Sequence, residues 1–407
     1  MYQLTAAGIT FMLIPVLIKK KFKLSQTILI TALVLAMVSG IGARASLRAI
    51  MSVFTTPSSV NTILVVMMIN ILGGLLKHYK ILDGIVETLL QLIGSKRNII
   101  TIIPAMIGML SIPGGAILSA PFVNEMGEDI HLSPPRRAVI NLVFRHVTMF
   151  LLPFNTTFLI IQSTIPDFRV SLLILMNSVY VIGIVALGYL FFLRDIDVGN
   201  RKAQDRSWKQ VKQLLVYTSP IYSCVIITGL TGVPFSLSML VSIFIIYLMS
   251  DTEHFLKQVI KAFDKNMVFT VVAVLMMQSI ILEMTDMLMV FSNLFYASDN
   301  VFVIMATLFI TSLFFGFISG YKLAALAITL PLVNQLEGSV LMIHLYVYIA
   351  SCCAFLGYFF SPLHLCQAFT VQVMKTNTLE LYREYRWYGL TLMLLLIVTI
   401  AIFMIFI

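Results

Sequence analysis

Four side chains in this sequence have chemistry that their surroundings do not explain. Arg145, His146, Lys322 and His364 all lie inside apolar stretches of the chain. An ionised group at the centre of a membrane helix costs about 2.5–3.5 kcal/mol, so each asks for a partner or a task. Arg145 is permanently charged, and its planar fork suits a carboxylate. The competing reading is snorkelling, because Arg137 lies one short helical stretch earlier. Lys322 offers a tethered ammonium, either as an anion contact or in place of a coupling cation; snorkelling competes here too. His364 titrates near neutral pH and could carry a proton, against a plain structural hydrogen bond. His146 adjoins Arg145 and otherwise reads as a packing imidazole.

Small and helix-breaking residues accompany these groups. Pro153 removes a helical hydrogen bond inside an apolar run. Asn155, Thr156 and Thr157 follow it, with side chains that can satisfy the freed backbone or hold a ligand. Ser361 and Pro362 do the same just before His364. Two other apolar stretches, 98–123 and 301–335, are interrupted at Ser111-Ile112-Pro113-Gly114-Gly115 and at Gly316-Phe317-Ile318-Ser319-Gly320. Both are expected to be re-entrant helical hairpins whose tips are shielded by protein or line a cavity. Broken helices and hairpin tips near the midplane present partial positive charge to an anion and carbonyl oxygens to Na⁺. Ser111, Pro113, Gly114 and Gly115 at one tip, and Ser319 and Gly320 at the other, therefore join the candidate substrate and ion site.

The elements that must position these groups follow from composition. The 407 residues are 59% hydrophobic and 11% charged, with a mean hydropathy of +0.99. A soluble domain carries about 25% charged residues, so soluble enzymes, disordered chains and nucleic-acid-binding domains are excluded. Long continuous apolar runs exclude a transmembrane β-barrel. The class is an all-α polytopic membrane protein. Candidate crossings are 4–18, 24–42, 58–76, 138–164, 170–193, 212–230, 233–249, 266–285, 338–373 and 387–407. The first run has no basic residue before it and four lysines just after it, the reverse of a signal peptide.

Charge placement explains the net charge of +9 without nucleic acid. With both hairpins re-entrant and the N- and C-termini outside, 22 of the 27 Lys and Arg fall in cytoplasmic loops and three outside. Full crossings at both hairpins would spread them evenly, so the positive-inside rule favours hairpins. The chain also reads as a duplication: Ser119-Ala-Pro121-Phe-Val123-Asn124 matches Thr329-Leu-Pro331-Leu-Val333-Asn334 at a shift of 210 residues. Each half then holds five crossings and one hairpin, and an odd number inverts the second half. The expected organisation is a first inverted repeat at 1–193, a cytoplasmic linker at 194–211 and a second repeat at 212–407. This is the architecture of secondary transporters.

Other features read more plainly. Segments 77–97, 251–265 and 286–299 are amphipathic and are expected to lie at the interface. Glu283 and Asp286 read as interfacial, and Glu125, Glu128 and Asp129 as solvated. Cys224, Cys352, Cys353 and Cys366 sit in apolar segments without metal-ligand spacing and read as packing residues. No P-loop, zinc motif or hydrolase elbow is present, so no enzyme, cofactor or resident metal is expected.

Three blocks carry a family resemblance: Ser111 to Pro121, Asn141 to His146, and Leu356 to Cys366. Together they resemble the integral membrane family called domain of unknown function 401, over essentially the whole chain. That family is usually placed in the ion transporter superfamily, beside gluconate, citrate, lactate and dicarboxylate carriers. The resemblance implies a homodimer with a scaffold and an elevator-like transport domain holding both hairpins. By match, Pro113, Gly114, Gly115, Arg145, His146, Ser361, Pro362 and His364 occupy its motif positions. The sequence departs from the pattern where an acidic residue would follow the Phe-Arg-His block; Thr148 and Met149 stand there. The function expected is secondary active transport of a small organic anion, a carboxylate, coupled to Na⁺ or H⁺. The alternatives are a cation/proton antiporter, the membrane subunit of a binding-protein-dependent carrier, and a scaffold or lipid-handling protein.

Overall fold

In the computed structural model the chain is described over residues 2–20, 22, 24–93, 95–109, 116–196, 207–250, 254–263, 265–286, 289, 300–361 and 364–407. Every regular element there is helical. The order begins α1 (Tyr2–Phe11), α2 (Leu13–Lys19), α3 (Leu24–Val38), α4 (Ala43–Thr55), α5 (Pro57–His78) and α6 (Ile81–Ile93). It continues with α7 (Lys96–Gly108), α8 (Ala116–Asp129), α9 (Pro134–His146), a 3₁₀ turn (Val147–Phe150), α10 (Thr156–Thr164) and α11 (Val170–Phe192). The second half holds α12 (Trp208–Thr231), α13 (Phe235–Met249), α14 (Phe255–Ala262), α15 (Lys265–Leu282), α16 (Val301–Ser319), α17 (Lys322–Val333), α18 (Val340–Phe360), α19 (Leu365–Val373) and α20 (Thr378–Ile405).

Helix starts follow the local sequence. Ser207, Asn300, Ser339, Asn377 and Asn155 precede apolar runs, and each side chain accepts a backbone N–H of the first turn of α12, α16, α18, α20 and α10. This satisfies donors that the helix itself leaves open. Among the described residues five helices are long and apolar enough to span a bilayer: α5, α11, α12, α18 and α20. At 1.5 Å per residue the 22 residues of α5 reach about 33 Å. The first expected crossing is divided into α1 and α2, and α4 is a helix where the sequence suggested only an outside loop. Its alternating apolar face buries Ala49 and Val53.

The two halves of the chain interleave. Helix α3 packs on α15 and α5 on α13, while α8 packs on α19 and α20 on α9. The closest approach joins α16 and α18. A Cβ on Gly316 would stand 2.4 Å from the Ala354 carbonyl oxygen, and one on Gly357 2.1 Å from that of Leu313. Only glycine allows two membrane helices to touch backbone to backbone in this way. Gly316 therefore belongs to an unbroken helix, and the interruption expected at 316–320 is confined to Gly320, which adopts φ +60°.

Basic residues counted as loop charges are partly structural. Arg136 donates to the carbonyls of Phe192 and Phe191 at 2.9 and 3.4 Å, closing the C-terminal end of α11. Arg137 is buried and pairs with Glu128 at 2.6 Å, so Glu128 is exposed but not merely solvated. Outside the spans, that guanidinium and then the Asn124 amide hold the Glu128 carboxyl below the usual carboxylate range. Arg48 meets Glu283 at 3.5 Å on the surface.

Candidate functional site

Both expected helix breaks exist. In the first, α9 ends at His146, the chain passes through the 3₁₀ turn and irregular residues around Pro153, and α10 restarts at Thr156. In the second, α18 ends at Phe360 and α19 starts at Leu365. Pro362 lies outside the described residues, as do Ser111, Pro113, Gly114 and Gly115 of the first hairpin tip. The arms of that hairpin, α7 and α8, pack on each other and on α9. A Cβ on Gly108, the last residue of α7, would fall 2.0 Å from the Arg145 carbonyl oxygen. The hairpin thus presses directly on the start of the first break.

The second hairpin places Lys322. Gly320 ends α16 in the left-handed conformation, which glycine adopts without steric cost. The Ser319 hydroxyl lies 2.6 Å from the Phe315 carbonyl and accepts the Tyr321 N–H at 3.2 Å, so it fastens the turn. Lys322 then opens α17, a helix whose every residue is buried. The ammonium lies 5.0 Å from the centroid of the Phe150 ring and 5.9 Å from that of Phe355. These two rings are 4.7 Å apart and offer it their π-faces. Lys322 is 3% exposed. Among the described residues no carboxylate comes within ion-pair distance of it. A snorkelling lysine would reach the surface; this one does not.

Phe355 connects Lys322 to a second cluster, its ring 6.1 Å from that of His146. His146 and His364 face each other with ring centroids 5.0 Å apart. The Tyr358 hydroxyl lies 3.3 Å from His146 Nε2. Cys366, the second residue of α19, completes the group: one donor atom from each of His146, His364 and Cys366 lies within 4.8 Å of the other two, and all three residues are buried. Arg145 is buried beside His146 and close enough to act electrostatically on Tyr358. Of the expected site residues, Arg145, His146, Lys322, Ser319, Gly320, Ser361 and His364 thus gather around the 3₁₀ turn and the second break. Ser361 is buried and its carbonyl accepts the His364 N–H at 3.1 Å.

Asn155, Thr156 and Thr157 do not join them. They start α10, which packs on α5 and α17. Asn155 caps the helix by accepting the Thr157 N–H at 3.0 Å, Thr156 is half-buried, and the Thr157 hydroxyl is buried with no hydrogen-bond partner. The sequence reading also missed Asn177, which donates to the Phe150 carbonyl at 3.0 Å, and Asn141, which donates to Thr370 at 3.0 Å. In the sequence Cys366 reads as a packing residue because the side chains it meets are not spaced with it along the chain. The His364-x-Cys366 pair at a helix break was the available signal. An apolar cavity of about 410 Å³ opens beside the second break, among Leu313, Phe317, Phe360, Tyr382 and Met393.

Long apolar helices, broken crossings and buried cationic and imidazole groups define a polytopic α-helical membrane protein. The chain belongs to the family described as Protein of unknown function (DUF401), which matches residues 5–404. No curated protein matches it. The match reaches the family and no further; kinship with organic-anion carriers is a proposal.

Proposed function

We propose that this protein is a secondary active transporter of a small organic anion, a carboxylate, coupled to Na⁺ or H⁺. The observation that carries the reading is Lys322. A buried ammonium without a carboxylate partner is costly. It stands at the N-terminus of a buried helix, where the backbone adds partial positive charge. A carboxylate arriving there would neutralise the ammonium and accept free N–H groups of the first turn. Aromatic faces alone compensate the charge incompletely. Arg145, at the end of α9, is a second buried cation, beside the His146 ring that Phe355 links to Lys322.

The same proposal includes an inverted repeat with both termini outside, a dimer, and an elevator-like movement of the hairpins with the broken helices. Proline inside the second arm of each hairpin, Pro121 in α8 and Pro331 in α17, supports the repeat. So does the presence of one broken crossing per half. The test is uptake of labelled mono- and dicarboxylates into proteoliposomes under an imposed Na⁺ or pH gradient. Lys322→Gln should lower uptake at least tenfold while the protein keeps its elution profile in detergent, and Lys322→Arg should retain part of it. Unchanged uptake in Lys322→Gln, or no gradient-driven uptake across the panel, overturns the reading.

A further inference from the structure

We infer that His146, His364 and Cys366 form a buried binding site for a soft d¹⁰ metal cation, Zn²⁺ or Cu⁺. The inference stands apart from the transport reading. Three observations carry it. First, the ligand atoms of the three residues lie within 4.8 Å of one another, although His146 comes from the end of α9 and the other two from the opposite half of the chain. A tetrahedral zinc site with Zn–N about 2.0–2.1 Å and Zn–S about 2.3 Å holds its donors roughly 3.5 Å apart, so a closure of about 1 Å completes it.

Second, both imidazoles are held in one orientation by their other nitrogen. His146 Nδ1 lies 2.6 Å from the Leu142 carbonyl and His364 Nδ1 lies 3.4 Å from the Phe359 carbonyl. A carbonyl only accepts, so each Nδ1 carries the proton and each Nε2 turns a lone pair to the cluster, that of His146 accepting the Tyr358 hydroxyl at 3.3 Å until a metal takes its place. Outer hydrogen bonds of this kind fix the tautomer of metal-binding histidines. Third, His364 Nε2 is buried and, among the described residues, makes no hydrogen bond of good geometry, with the Cys366 thiol beside it. A bound cation is one of the groups that would satisfy such a lone pair.

The donor set selects the ion. Two imidazoles and a thiolate prefer late, soft cations; Na⁺, Mg²⁺ and Ca²⁺ take oxygen ligands. On binding, the Cys366 thiol gives up its proton and its sulfur bonds to the metal. The Tyr358 hydroxyl, 3.3 Å from His146 Nε2, is an oxygen that would be at hand for a fourth position. A thiolate–Cu⁺ unit is neutral and a thiolate–Zn²⁺ unit carries one positive charge, which separates the two ions near the buried Arg145 and Lys322.

The test uses the full chain in detergent, stripped with chelator and titrated with Zn²⁺ alone, with Cu⁺ under reducing conditions, and with Co²⁺ as an optical probe. About one equivalent should bind, Co²⁺ should show a thiolate charge-transfer band, and the protein should unfold at higher temperature with metal. Cys366→Ser should abolish the band, and His364→Gln should weaken binding on the order of 100-fold. His344→Gln, at a histidine stacked on Phe168, should change neither. A second measurement covers variants that fold poorly. In a chain with Cys224, Cys352 and Cys353 replaced by Ala, bound metal should protect Cys366 from thiol alkylation. Sub-stoichiometric binding, equal affinity in Cys366→Ser, or no protection overturns the site.

Discussion

The two broken crossings differ in how they satisfy the backbone they expose. In the first, amides do the work. Asn177 donates to the Phe150 carbonyl, and Asn155 accepts the Thr157 N–H. These groups then have little left to offer a ligand. In the second break the Tyr382 hydroxyl donates to the Phe360 carbonyl at 2.8 Å, and His364 Nδ1 serves the Phe359 carbonyl. An imidazole used in this way still has a second nitrogen. The first break is closed by amide side chains, one at the start of α10 and one from α11. The other leaves a buried lone pair beside a thiol and a second imidazole. The lesson is that a helix break becomes a site when the residue repairing it has chemistry to spare.

The largest effect expected on this contrast comes from the glycines that press the hairpins onto the broken helices. Gly108→Ala places a Cβ against the Arg145 carbonyl, and Gly357→Ala places one against that of Leu313. Both obstacles are backbone, so each change should cost at least the upper part of the about 1–3 kcal/mol typical of overpacking. Thermal unfolding in detergent measures this. A shift indistinguishable from wild type would show that the two hairpins are not clamped as described.

A smaller effect separates the two repairs. Asn177→Ala leaves the Phe150 carbonyl without its donor in a buried place, a loss of about 1–3 kcal/mol. Tyr382→Phe removes the donor to the Phe360 carbonyl, but Phe360 is only half-buried and water can replace the hydroxyl. The first substitution should therefore lower the unfolding temperature more than the second. Equal shifts would mean that the first break is as wet as the second.

The smallest effect lies away from both breaks, at the Glu128–Arg137 pair beside the first hairpin. The Glu128 carboxyl is held below the ordinary range by Arg137 and then by Asn124. A depressed value in the folded state means the stabilisation is present at neutral pH and is lost as pH falls through that lowered value. The glutamate is exposed, so the contribution is slight. Glu128→Gln should lower stability slightly at neutral pH and leave it unchanged at acid pH, so that the acid limb of the stability–pH curve becomes shallower. A large drop of the neutral plateau would assign the pair a larger role.

Much of this was legible in the sequence because the causes are local or compositional. Sparse charge and long apolar runs specify a membrane chain, since a bilayer accepts no unsatisfied backbone. Pro153, Pro362 and Gly320 mark interruptions because each changes what its own backbone can do. Arg145, His146, Lys322 and His364 stand out because an apolar neighbourhood makes a polar residue conspicuous. The tertiary structure alone decided what those residues face. Lys322 lies over Phe150 and Phe355, and Cys366 stands beside two imidazoles, one of them from the other half of the chain. The Ser319 hydroxyl fastens its own turn. Such pairings depend on how helices distant in sequence cross, and the spacing of residues along one helix carries no record of the side chains that a different helix will bring against it.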